Sequence, residues 1–232
     1  MNIIITGAGK GIGFETALKL AADSNNTVIA ISRNEAHLKK LSDKSKGAIK
    51  TLCYDFKQYK GIPTLLVPEI KKLVKQVDVL INNASVLHKK NLSELLTGEI
   101  EESFFVNVFA HMLLIKELLP VMGGKYPSHI VNVGSMGGVK GSVKFPGLSA
   151  YSATKAALIN LTESIAAEVK DKNIFVNCLA FGSVQTEMFS MAFPATKAGL
   201  TMEQASKYLA DFAMNGHKYF NGKVLEVSNS TP

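Results

Sequence analysis

The chain has 232 residues, 47% apolar and 19% charged, with 26 Lys and Arg against 19 Asp and Glu for a net charge of +7. That length suits one α/β domain with a large core and is short for two. The lysines are spread through helical stretches, with no basic arm or aromatic-interleaved stripe, so no nucleic-acid partner is expected. A solvated surface accounts for them, or attraction of an anionic ligand or an acidic carrier protein.

In chain order, apolar strand-like runs fall at 3–5, 28–31, 48–53, 78–81, 130–133, 174–179 and 224–227. They are continuous rather than alternating, as in strands buried on both faces. Helical patterns lie between them at 12–22, 34–45, 63–76, 99–119 and 149–171. Strand–helix alternation of this kind predicts an α/β fold, a single doubly wound parallel sheet (Rossmann-like) with helices on both faces. Residues 1–232 are expected to form one dinucleotide-binding catalytic domain. The rhythm breaks over 182–216, where Met188, Phe189, Met191, Phe193 and Pro194 predict an apolar substrate lid at 183–216 beyond the strand ends. The most apolar stretch, 104–119, is interrupted by Asn107, His111, Lys116 and Glu117, so no transmembrane span is expected. No signal-peptide pattern opens the chain, and a cytoplasmic location is expected. Cys53 and Cys178 sit in strand-like runs without metal-ligand spacing and are expected to be buried; no metal site is expected.

The run Thr6-Gly-Ala-Gly-Lys-Gly-Ile-Gly13 follows the first strand and opens the first helix. Gly7, Gly9, Gly11 and Gly13 there permit a tight turn, and backbone amides near Ile12 approach a pyrophosphate at the helix N-terminus. The second strand ends Ile31-Ser32-Arg33-Asn34, with no acid to take both ribose hydroxyls of NAD. Arg33 and Lys10 offer cations to a 2′-phosphate, which favours NADP as cofactor.

Tyr151 and Lys155, four apart on a helix, project from one face. A free phenol titrates near 10, and an adjacent ammonium is expected to lower that value toward neutrality. Ser135, at the end of the fifth strand, can hold a carbonyl oxygen. The three suit proton delivery to a carbonyl while a cofactor delivers hydride.

With these motifs, Asp55, Asn82-Asn83-Ala84 and Asn107 in the same order, the whole chain resembles the short-chain dehydrogenase/reductase family, 3-oxoacyl-[acyl-carrier-protein] reductases among them. The resemblance implies that Asp55 and Phe56 flank the adenine and that Asn83 and Ala84 line the cofactor's centre. It implies Tyr151 as acid/base, Ser135 orienting the carbonyl, and Lys155 holding the nicotinamide ribose. Asn107 would support Lys155 through a water, and Gly182, Val184 and Thr186 would contact the carboxamide. It also implies a homodimer or homotetramer packed through 99–119 and 149–171.

Three departures stand out. Ser85 replaces the glycine that usually closes Asn-Asn-Ala-Gly, sixteen residues separate Ser135 from Tyr151, predicting a longer loop over the site, and Phe181 stands where proline is common. The ending Val227-Ser-Asn-Ser230 lacks the frequent Asp-Gly-Gly. His111, on a helix apolar almost all round, is read as a packed or interface histidine. The expected function is hydride transfer between NADP(H) and a carbonyl or alcohol, carrier-bound or free. The alternative is a catalytically idle NADP-binding sensor or interaction protein, which would not need Asn107, Ser135, Tyr151 and Lys155 together.

Overall fold

A computed structural model of the chain describes residues 1–229; Ser230, in the atypical ending, lies outside them. In chain order the elements are β1 (Asn2–Thr6), α1 (Gly11–Ala21), β2 (Thr27–Ser32), α2 (Glu35–Lys44), β3 (Ile49–Cys53), α3 (Val67–Leu73) and β4 (Val79–Asn82). They continue with α4 (Thr97–Phe104), α5 (Ala110–Leu118), β5 (Ser128–Ser135), α6 (Ser149–Glu168), β6 (Ile174–Phe181), α7 (Glu187–Ala192), α8 (Met202–Asn215) and β7 (Val224–Val227). The strands form one parallel sheet in the order β3-β2-β1-β4-β5-β6-β7. All seven apolar runs are strands of it.

Alternate side chains of each strand feed opposite cores, which explains the unbroken apolar runs. Ile4, Ile29, Leu80 and Ile130 pack with α3, α5 and α6 on one face. Ile3, Ile5, Val28 and Val131 pack with α1, α2 and α8 on the other. The strand order reverses between β1 and β4, so a crevice opens at their C-terminal ends.

Four details correct or refine the sequence reading. The third helix opens with a π-helical turn, Ile62–Leu66, and ends at Leu73 because Val74 is extended. The helical stretch Thr97–Val121 is long and apolar enough to cross a membrane by length and composition alone, a test that a helix packed in a core also passes. Here Val106, Ala110, Leu114 and Leu118 bury its inner face in the core. Cys178 is buried, but Cys53 is exposed, because it ends the edge strand β3. Finally, α8 packs onto α1 through Ala205, Leu209 and Phe212, whereas the part of 183–216 over the crevice is 183–196.

Candidate active site

The crevice holds a cavity of about 1010 Å³ that runs from the glycine turn to the loop after β5. Its floor is set by how tightly β1 and β4 leave the sheet. Gly7 has φ +68, and a Cβ there would meet Ala84 Cα at 2.6 Å, so the position needs glycine twice over. Asn83 fastens the two loops: its Nδ2 donates to the carbonyls of Thr6 (3.0 Å) and Gly7 (3.1 Å). The Thr6 hydroxyl accepts from the backbone N–H of Asn83 (2.9 Å) and Ala84 (3.0 Å). Asn83 lines the cavity with Ala84, but its side chain serves the turn.

Helix α1 starts with no side-chain cap and no acid in its first turn, leaving its N-terminal amides to the glycine turn. An anion of pyrophosphate type fits there. Gly7, Gly9, Lys10, Gly11 and Ile12 line the cavity; Gly13 does not, and instead packs against Asn83 and the Gly7 carbonyl. That is the close helix–strand approach a third glycine permits.

At the other end of this arm lie Ser32, Arg33, Asn34, His37, Asp55 and Phe56. The Asn34 side-chain Oδ1 caps α2 by accepting from His37 N–H at 2.9 Å, and the Asp55 carboxylate accepts from Lys57 N–H at 3.0 Å. Both cations read for a 2′-phosphate face the cavity, and both also face carboxylates. Lys10 Nζ is 2.7 Å from Glu187, and Arg33 lies 3.9 Å from Glu102.

Ser135, Tyr151 and Lys155 meet at the inner end of the cavity. Ser135 ends β5, and its Oγ accepts from Gly137 N–H at 3.2 Å. Tyr151 lies in the first turn of α6, and Lys155 one turn further on. Desolvation pushes the phenol's pKa up, while the hydroxyls of Ser135 and then Ser85 interact with it and pull the other way. Lys155 is buried, and its ammonium donates to the Val133 carbonyl at 2.8 Å and stands 5.6 Å from the Tyr151 ring centroid. It does not figure among the influences on the phenol, whose pKa is raised and not lowered as expected: desolvation outweighs the two serines, which only oppose the rise. Burial brings Lys155 itself down to about 8, still mostly charged at neutral pH.

Asn107 is fully buried one layer behind the cavity wall, inside a π-helical turn (Phe105–Phe109) joining α4 to α5. Such turns often sit at functional sites. Its Nδ2 donates to Val86 O and Thr154 Oγ1, each at 3.0 Å, and its Oδ1 accepts from Val86 N–H (2.8 Å) and Ser85 Oγ (3.1 Å). With both amide hydrogens engaged, a water-mediated link to Lys155 would rest on its main chain.

The remaining wall is apolar. Val143, Phe145 and Leu148 come from the long loop before α6, and Met188, Phe189 and Phe193 from α7 and its end. Lys89 ties this roof to the loop after β4: its Nζ donates to Ala192 O at 2.5 Å and sits 3.8 Å over the Phe193 ring. Gly182, Val184 and Thr186 lead from β6 into α7 and also line the cavity, as does Phe181.

A family model described as short chain dehydrogenase matches residues 1–197. The chain belongs to the short-chain dehydrogenase family. It is 29% identical to the 3-oxoacyl-[acyl-carrier-protein] reductase FabG of Haemophilus influenzae, over 97% of this chain and 95% of that one. Among solved structures, a short chain dehydrogenase from Burkholderia cenocepacia in complex with NADP superposes with TM-score 0.88 at 23% identity, covering 99% and 96% of the two chains. A 3-ketoacyl-(acyl-carrier-protein) reductase from Brucella melitensis complexed with NADH gives 0.85 at 24% identity, covering 97% and 96%. These two likenesses are of fold.

Within this short-chain dehydrogenase, the cavity also gathers residues the sequence did not single out. Ser32 and His37 flank Arg33, and Glu187 faces Lys10. Only the three-dimensional approach of α7 to the glycine turn reveals Glu187, since 177 residues separate it from Lys10. Ser85 was visible as a departure, and its place beside the phenol was not. His111 is a packed histidine: fully buried, its Nε2 is 2.8 Å from Ala84 O.

Proposed function

We propose that this short-chain dehydrogenase transfers hydride between NADP(H) and a carbonyl or alcohol, with Tyr151 as the acid/base. The observation that carries the reading is the placement of the Tyr151 phenol beside the Ser135 hydroxyl, in the wall of a cavity continuous with the glycine turn. The bound nicotinamide supplies or takes the hydride. Ser135, whose oxygen already accepts from Gly137, keeps its hydrogen for the substrate oxygen. Tyr151 gives its proton to that oxygen on reduction and takes it back on oxidation. Lys155, charged and anchored on β5, holds the ribose. Asp55 and Phe56 border the adenine; Gly182, Val184 and Thr186 border the carboxamide.

NADP is favoured over NAD because Lys10 and Arg33 border the adenosine arm and Ser32, not an acid, ends β2. The roof of Val143, Phe145, Met188 and Phe193 supports a partly apolar substrate, free or carrier-bound, under a lid formed by 183–196. The protein acts as one catalytic unit in a cytoplasmic homodimer or homotetramer. An idle cofactor sensor would not need Asn107, Ser135, Tyr151 and Lys155 together, and the chain carries all four. Following NADPH consumption by the purified protein across a panel of acyl thioesters, steroids, sugars and small ketones tests the reading; no consumption with any of them speaks against it.

A further inference from the structure

We infer that Lys89 is a positioning residue that determines substrate specificity: it holds the wall of Phe193 and Phe145 down over the apolar part of a bulky carbonyl. This deepens the reading of the cavity as a site of carbonyl reduction and rests on it.

Lys89 stands just outside the cavity, where three segments far apart in the chain meet. Its ammonium donates to the carbonyl of Ala192, the last residue of α7, at 2.5 Å, and lies 3.8 Å from the centroid of the Phe193 ring. A helix end leaves its last carbonyls without partners inside the helix, and a cation is favoured there. The stem of the same side chain runs over the loop before α6, since a Cβ on Gly147 would meet Lys89 Cγ at 3.3 Å. The next N–H along, that of Lys90, donates to Gly147 O at 3.1 Å. Lys90 Nζ in turn donates to Glu99 on α4 at 2.6 Å, which fixes the base from which Lys89 reaches out. One side chain therefore joins the loop after β4, the end of α7 and the loop before α6.

The effect on substrate runs through the rings. Phe193 meets Phe145 edge to face at 6.0 Å and Phe189 at 5.3 Å, and all three line the cavity. Phe145 is 53% exposed, so no core fixes it and it takes its place from Phe193. Loss of the ammonium frees Ala192 O and one face of Phe193 together, and the end of α7 and the Phe145 loop then open as a unit. A cation over an exposed ring and one charge-assisted hydrogen bond together bias the closed roof by about tenfold. Only a substrate whose apolar part reaches these rings feels that bias. Ser135, Tyr151 and Lys155 are set by β5 and α6 at the inner end of the cavity, and their geometry does not pass through Lys89. The ammonium is turned to a carbonyl and a ring, so its part is to place the wall and not to bind a charge on the substrate.

The test compares Lys89→Met and Lys89→Arg with the parent, on the bulkiest apolar carbonyl and the smallest ketone that the parent reduces with NADPH. Lys89→Met should raise KM for the bulky carbonyl about tenfold with kcat within about twofold, and should leave kcat/KM for the small ketone within about twofold. Lys89→Arg, whose guanidinium can stack on a ring and donate to a carbonyl, should restore the parent KM. Limited chymotrypsin cleavage after Phe189, followed with no substrate present, should be about tenfold faster in Lys89→Met and unchanged in Lys89→Arg. Parent-like KM and cleavage rate in Lys89→Met would overturn the role of Lys89, and so would equal losses on the bulky and the small carbonyl. A parent that reduces no carbonyl, with cleavage rates that still separate as expected, would fail the carbonyl reading while supporting the hold of Lys89 on the roof.

Discussion

The Lys155 ammonium donates to the Val133 carbonyl at 2.8 Å, two residues before Ser135 on the same strand. One buried hydrogen bond thus ties the helix that carries the tyrosine to the strand that carries the serine. A charge this deeply buried needs a partner, and here a strand carbonyl at the active-site end provides it. The position of the phenol relative to Ser135 is therefore set by the fold and not by a mobile loop.

Cofactor choice should follow from Lys10 and Arg33. NADPH is expected to bind about tenfold more tightly than NADH, the lower end of what charge-assisted bonds supply, because both cations are exposed and already face Glu187 and Glu102. Arg33→Ala should weaken NADPH several-fold and leave NADH nearly unchanged. Glu187→Gln, which frees Lys10, should tighten NADPH. Fluorescence titration of both reduced cofactors checks all three expectations; equal affinities in the parent would remove the assigned role of the two cations.

Stability should fall on mild acidification. His111 and His129 are buried, and desolvation chiefly brings them from the ordinary 6.5 to about 3 and about 4. Because the folded values lie below the unfolded one, the unfolded chain binds protons first as pH drops below about 6.5. Their contribution is therefore complete above about 6.5 and is lost progressively down to about 3–4, by up to about 1.4 kcal/mol per pH unit for each ring. Urea midpoints at pH 7 and pH 5 measure this. An unchanged midpoint would mean that the two rings are not neutral in the folded state.

The outward face of α5 should mediate assembly. Phe109 and Met112 are 40% and 51% exposed, next to the ring cluster of Tyr59 and Phe105. A homodimer or homotetramer packed through α4, α5 and α6 would cover them. Light scattering at micromolar concentration should show more than one chain, and Met112→Glu should shift the mass downward. A stable parent monomer would contradict the proposal.

Much of this was legible in the chain. Apolar runs made the doubly wound sheet legible, because central strands buried on both faces carry little alternation, while the edge strands β3 and β7 admit Lys50 and Glu226. The glycine turn was legible because Gly7 meets a steric demand that no other residue satisfies. Other features depend on contacts between distant segments. The distinction between Gly13 as packing and Gly9 as cavity wall arises from where Asn83 comes to lie. Helical spacing put Lys155 on the face of Tyr151, but it did not show that the ammonium would turn to Val133. Nor does residue type reveal that Asn107 is saturated by residues 85–86 and Thr154.

The central claim is that the Tyr151 phenol moves the proton, and Tyr151→Phe tests it most directly. With a carbonyl that the parent reduces, the variant should lose turnover by at least about 10³-fold, since the phenylalanine ring carries no proton and the Lys155 ammonium, at about 8, is turned to the Val133 carbonyl. Its NADPH affinity should stay within about twofold, because the ring and its packing remain. Substantial turnover by Tyr151→Phe with intact cofactor binding would contradict the account.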